Sequence, residues 1–167
     1  GAEVVRVAGP DRFATAAAVA TDTFTAPVPI VVVATGSSFA DALSGGAAAG
    51  HHGGPLLLVD RDTVPEATAA ALRALQPARI VVLGGTAAIS DVVAGQLAAF
   101  APGGVARHAG PDRYSTSAAV VAAMFDPADV DAVFVATGDG FPDALSGTPA
   151  AVRSGGPLML VGHDTIP

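Results

Sequence analysis

The chain has 167 residues, with 51% hydrophobic and only 14% charged side chains, a balance that excludes intrinsic disorder and fits one domain or two small ones. Its net charge is −7, all eight basic residues are arginine and cysteine is absent, so disulfides, thiolate nucleophiles, cysteine-held metals, lysine Schiff bases and the lysine-dependent phosphate loop are excluded. No basic cluster offers a nucleic-acid footprint, and no apolar run approaches the roughly 20 residues that cross a bilayer.

Residues 4–8 (VVRVA) read as a short strand, and the Gly9-Pro10 turn then leads into a helix over 11–24. Pro10 and Asp11 suit its first turn, where a missing N–H costs nothing and a carboxylate meets the positive helix end. Residues 30–34 (IVVVA) form a β-branched run expected of a strand buried on both faces. The turn Thr35-Gly36-Ser37-Ser38 follows, then a small-residue helix through Phe39, Ala42, Leu43, Gly46 and Ala47. Residues 55–59 give a second buried strand, and Thr63 is expected to cap a helix over 65–76. A third strand over 79–83 ends in Gly84-Gly85 and precedes a helix over 90–100. Strands alternating with helices of this length imply right-handed crossovers and a parallel sheet. The class is α/β, three-layered, with a mostly parallel sheet built from tandem βα repeats of Rossmann, flavodoxin or Toprim type.

The same strings then return. RVAGPDRFATAAAV at 6–19 recurs as RHAGPDRYSTSAAV at 107–120, and VVATGSSFADALSG at 32–45 as FVATGDGFPDALSG at 134–147. GGPLLLV at 53–59 recurs at 155–161 as GGPLMLV, and DTVP at 62–65 as DTIP at 164–167. The register drifts by one residue in the 25–30 loop, where insertion is tolerated. Residues 1–103 read as one complete repeat and 104–167 as a truncated second one. An uncovered strand edge and apolar face in that second copy imply self-association or a piece of a longer protein. No leader is visible after Gly1, consistent with a cytoplasmic chain or with a mature or excised fragment.

Candidate chemistry concentrates in two repeated motifs. The strand-to-helix turn presents Thr35, Ser37, Ser38 and Asp41, with Thr137, Asp139 and Asp143 in its copy, at a helix start that suits a ligand. Alternatively, Ser38 and Asp41 form a capping box. A nucleophile would not be exchanged as Ser37-Ser38 is for Asp139-Gly140. The GPDR motifs offer Asp11 with Arg12 and Asp112 with Arg113. Each arginine either grips a ligand anion or pairs with a carboxylate, that of the aspartate in its own motif or of Asp41 and Asp143 across the βα units. His51-His52 end a helix, where they suit a surface capping role; His108 and His163 stand alone, and no metal-ligand spacing occurs. A dinucleotide fingerprint and a hydrolase nucleophile elbow are both missing.

Taken in order, GPDRF at 9–13, VATG with FADALS at 33–44, GGPLLLV at 53–59 and VVLGGTAAIS at 81–90 resemble the cell wall-binding repeat 2 family. The resemblance covers essentially the whole chain. It implies a noncatalytic module of secreted Gram-positive proteins, usually in tandem and often threefold, with no cofactor and no metal. It also implies an extracellular, wall-attached location and, as partner, an anionic wall polysaccharide or teichoic-acid-like polymer. The expected ligand-binding set is Asp11, Arg12, Thr35, Ser37, Ser38, Asp41, Asp112, Arg113, Thr137, Asp139 and Asp143. The proline-aliphatic segments at 55–59 and 157–161 are read as fold-bearing. The alternatives are a structural or assembly domain of a surface protein without a polymer ligand, and an Asp-dependent hydrolase.

Overall fold

The β-branched runs become strands and the small-residue stretches become the helices that cover them. The computed structural model describes residues 3–167. In chain order the elements are α1 (Arg12–Thr23), β1 (Ile30–Thr35), α2 (Ala40–His51), β2 (Leu56–Val59), α3 (Glu66–Leu75), β3 (Arg79–Leu83), α4 (Asp91–Leu97), β4 (Val105–His108), α5 (Arg113–Met124), β5 (Phe134–Thr137), α6 (Pro142–Arg153) and β6 (Leu158–Val161). Two short 3-10 turns lie at Ala98–Phe100 and Pro127–Asp129.

The main sheet runs β2-β1-β3-β4 with every pair parallel. Of the fold types anticipated, this order matches the flavodoxin-like one. Because strand side chains alternate, Val31, Val33, Ile80 and Val82 face α1, α3 and α4, packing on Ala17, Ala20, Leu72, Leu75, Val93 and Leu97. Ile30, Val32, Val81 and Leu83 point the other way, onto Ala48 and Ala49 of α2 and Val120 and Met124 of α5. Helices on both faces explain why all six residues of β1 are buried. The three-layer α/β reading holds.

The second copy repeats the local pairing in the same register. Val32 opposes Leu56 in the first copy as Phe134 opposes Leu158 in the second, both in parallel strands. Yet β5 and β6 stand as a separate two-stranded sheet. Its inner face packs on α2, whose Ala40, Leu43 and Ala47 meet Ala136, Leu158 and Leu160 of the strands and Ala144 of α6. Its other face is open: Val135 is 61% exposed, whereas its counterpart Val33 is fully buried.

Three local expectations are corrected. Residues 4–8 form no strand, and Val4 is 94% exposed. Their copies, Val105–His108, are a strand because β3 lies beside them as a pairing partner. Thr63 does not cap α3; Pro65 occupies the N-cap with no side-chain hydrogen bond. Asp11 is not inside the first turn of α1 but is its N-cap, accepting the Ala14 N–H at 2.7 Å, and Asp112 caps α5 in the same way through Ser115.

Candidate functional site: a crevice between the two copies

Open parallel sheets bind ligands beyond the carboxyl ends of the strands, where successive crossovers leave in opposite directions. Here that point lies between β1, whose crossover runs to β2, and β3 on its other side. A cavity of about 290 Å³ opens there. From the first copy it is lined by Thr35, Ser38, Asp41 and the Gly84-Gly85 turn after β3, and from the second by Gly110, Asp112, Arg113 and Thr116. The repeat spacing therefore brings the turn motif of one copy against the GPDR motif of the next.

Each group is held by a local cause. Thr35 ends β1, is buried, and its Oγ1 accepts the Ser37 N–H at 3.2 Å, which fixes the turn. The copy is identical in form, with the Asp139 N–H donating to Thr137 Oγ1 at 3.2 Å. Asp41 lies in the first turn of α2 but does not cap it. The N-cap is Phe39, without a side-chain hydrogen bond, so the Ser38–Asp41 capping box does not form. Instead the Asp41 carboxylate lies against Gly84, where an added Cβ would stand 2.6 Å from Oδ2. Gly84 also has φ +90°, a conformation glycine adopts without strain.

Burial pushes the Asp41 carboxyl up from its usual 3.8, opposed by the nearby Arg113 charge. A carboxyl raised in the folded state binds more protons than in the unfolded chain, so its contribution to stability declines as pH rises from 3.8 through the raised value. Asp41→Asn is therefore expected to melt above the parent at pH 7 and to lose that advantage at pH 3. Paired thermal melts check this, and a lower melting temperature for the variant at pH 7 would contradict it.

The arginines do not form the anticipated carboxylate braces. Arg113 Nη1 donates to the Gly138 carbonyl at 2.6 Å, and Arg12 Nη1 donates to the equivalent Gly36 carbonyl. Among the described residues no carboxylate lies within ion-pair distance of either. The Arg113 guanidinium also stands 5.7 Å from the Phe39 ring centroid, a cation–π contact that crosses from one copy to the other. With one of five N–H groups committed to Gly138, the fork retains donors for an anion at the crevice mouth.

The remaining expected residues are placed elsewhere. Arg12 and Ser37 line a second, larger cavity of about 640 Å³ beside α2. Asp11 is committed to its cap. Asp139 accepts the Tyr114 hydroxyl at 2.8 Å, which raises the tyrosine's pKa, and Asp143 sits exposed at the start of α6. Thr137, Asp139 and Asp143 thus share one turn but do not meet the crevice. His51 lies in the last turn of α2 and His52 is its C-cap, as read from the sequence, but both are half-buried against the second copy rather than on the surface. His51 stacks on Phe125, and His52 Nε2–H donates to the Met124 carbonyl at 2.8 Å, with burial lowering the His52 pKa. Two features escaped the sequence reading. The Gly84-Gly85 turn forms a crevice wall, and a glycine pair directly after a strand was its signal. The Phe39–Phe141 edge-to-face contact at 5.7 Å joins the copies, and the shared motif position of the two rings was its signal.

Comparison with known proteins gives the same answer from several directions. The family model for cell wall binding domain 2 (CWB2) matches residues 6–94 and again 107–166. N-acetylmuramoyl-L-alanine amidase LytC of Bacillus subtilis (strain 168) is 30% identical over 163 residues, 98% of this chain and 32% of the amidase. The amidase enhancer of the same organism is 30% identical over 162 residues, 97% of this chain and 22% of its own length. Among solved structures, Cwp6 from Clostridium difficile superimposes with a TM-score of 0.88 at 28% identity, covering 96% of this chain and 25% of Cwp6. Cwp8 from Clostridium difficile shares the fold, with a TM-score of 0.87 at 24% identity over 95% of this chain and 27% of Cwp8. The chain therefore spans a third or less of each of these relatives.

Proposed function

Because the chain belongs to the cell wall binding domain 2 family, we propose that it is a noncatalytic module that holds a secreted protein at the bacterial cell surface. In this reading its ligand is an anionic wall polysaccharide or teichoic-acid-like polymer, taken up in the crevice between the two copies. The observation that carries wall binding is the family match across both copies. The crevice supports the ligand class: Thr35 and Ser38 hydroxyls and the Asp41 carboxylate suit polyol or sugar hydroxyls, and Arg113 suits a phosphate or carboxylate. Asp112 borders the same mouth. Arg12, Ser37, Thr137, Asp139, Asp143 and Asp11 are read as secondary contacts along the polymer.

The net charge of −7 opposes an anionic ligand at long range, so attraction depends on local groups. An exposed helix terminus or charge contributes roughly 0.3–1 kcal/mol, whereas even millimolar affinity needs about −4.1 kcal/mol. A polymer offers the same unit many times, and linked weak sites hold it through effective concentration. That is a physical reason for tandem copies. The noncatalytic reading is supported by the turn itself, whose Ser37-Ser38 pair becomes Asp139-Gly140 in the copy. It is further supported by the short share of the amidase that the chain spans.

Co-sedimentation with purified Bacillus subtilis walls tests the reading. The chain is expected to pellet with intact walls and to stay in solution with walls stripped of their anionic polymers. Arg113→Ala is expected to weaken binding roughly tenfold, as loss of a hydrogen bond to a charged group does. Equal binding to stripped walls would overturn the polymer assignment, and binding to neither would overturn the function.

A further inference from the structure

The crevice between the copies holds two opposite charges that do not pair with each other. Asp41 is half-buried in the first turn of α2, and among the described residues no hydrogen bond or ion pair engages its carboxylate. The wall it faces, the turn after β3, contributes Gly84, Gly85, Ala87 and Ala88, none of which carries a charge. From α5 come Asp112 and Arg113. Asp112 is engaged by its own helix, accepting the Ser115 N–H at 2.7 Å. Arg113 gives one N–H to the Gly138 carbonyl and keeps its other donors. A cavity of about 290 Å³ therefore lies between one free carboxylate and one largely free guanidinium.

Both charges are kept when the motif returns. Asp41 recurs as Asp143 and Arg12 as Arg113, although Ser37-Ser38 changes to Asp139-Gly140. The arginine has a structural task in each copy, since each bonds a glycine carbonyl. Asp41 has no such task, because it does not cap α2. Burial pushes its carboxyl up, and the Arg113 charge offsets that only in part. A cation seated beside Asp41 relieves this penalty, whereas a purely anionic ligand adds to it and also meets the net charge of −7. Resting on the wall-polymer reading above, we infer that the unit bound in the crevice is zwitterionic, with a phosphate or carboxylate that takes Arg113 and a nearby ammonium that takes Asp41. An amino sugar or an aminoacyl ester on the polymer has this chemistry. Thr35 and Ser38 then meet the hydroxyls between the two charges. Such a unit carries little net charge, so it approaches an acidic protein with less repulsion than a bare polyphosphate does.

Chemical-shift titrations of the whole chain with O-phosphoethanolamine, ethyl phosphate and ethylamine test the pairing, because the first two differ only by the ammonium. The zwitterion is expected to bind roughly tenfold more tightly than either of the others, as one added charge-assisted hydrogen bond provides. In Asp41→Asn that preference should disappear, and ethyl phosphate should bind more tightly than it does to the parent. Asp22→Asn, which removes one negative charge from the exposed side of α1, is expected to keep the preference. Thermal melts verify that both variants fold. Equal binding of O-phosphoethanolamine and ethyl phosphate to the parent would overturn the inference and leave a simple anion site. A preference that survives Asp41→Asn would overturn it too, as would the absence of binding by all three probes. Co-sedimentation bears separately on the function: a chain that prefers the zwitterion yet ignores walls would overturn wall binding alone.

Discussion

Gly54→Ala should be among the most damaging single substitutions in the chain, lowering stability by about 3 kcal/mol or more. Gly54 lies between the end of α2 and the start of β2, and its N–H satisfies the Ala49 carbonyl at 2.9 Å. A Cβ at this position would fall well inside van der Waals contact of the Ile30 carbonyl oxygen, with the Ile30 side chain immediately behind. Both obstacles belong to β1, the strand held on both sides in the main sheet, so neither can retreat without disturbing two ladders. For a chain of this size the loss corresponds to a drop in melting temperature on the order of 10 °C. Gly156, the same position in the second copy, approaches the Ala132 carbonyl in the same way. Its alanine variant should lose less, because β5 pairs only with β6 and can shift. Gly85→Ala is the control: nothing lies within 4 Å of the added carbon, and its melting temperature should be nearly unchanged. Thermal circular dichroism of the three variants decides the matter, and a Gly54 variant that melts with the control would refute the close approach.

That glycine shows why much of the fold was legible. A motif that returns with the same spacing must place the same residue in the same backbone environment, and GGP does so just before β2 in one copy and just before β6 in the other. The β-branched run at 30–34 announced a central strand, and the parallel register of β1 with β2 returns in β5 with β6. Local signals failed where a residue's partner comes from another element of its own copy or from the other copy. Residues 4–8 and 105–108 have nearly the same pattern, but only the latter lie beside β3. Ser38 and Asp41 have capping-box spacing, yet Asp41 turns to the Gly84 backbone instead. The arginines of GPDR look built for carboxylates and go to glycine carbonyls. His51 and His52 do end α2, but Phe125 and Met124 of the far copy cover them, so they are not the surface groups expected. Sequence spacing reports neighbours along one helix or strand; it does not report which copy closes over a given face.

The candidate site follows from the same division. Thr35, Ser38 and Asp41 were legible as a ligand-facing turn because they follow a buried strand. Their meeting with Arg113 was not, because it depends on α5 packing across α2 to bring the second GPDR motif over the first turn. The crevice is therefore a property of two consecutive copies, and an isolated copy would present only half of its polar groups.

The sharpest contrast between the copies is at Val33 and Val135, which the repeat makes equivalent and the packing does not. Val33 is fully buried among α1, α3 and α4, whereas Val135 is 61% exposed on the uncovered face of β5. Val33→Asp places a carboxylate in an apolar layer that offers no partner, and burying an unpaired charge belongs to the exceptional class of roughly 4–5 kcal/mol or more. Domains of this kind hold only about 5–15 kcal/mol in total. The variant should therefore be largely unfolded or melt far below the parent at pH 7, with partial recovery at low pH as the aspartate protonates. Val135→Asp meets water instead, so its cost should stay near the surface range of about 0.5 kcal/mol. Urea unfolding of both variants at pH 7 gives the measure. Equal losses would mean that the face of β5 is covered in solution, and equal tolerance would mean that the layer of α1, α3 and α4 does not seal β1.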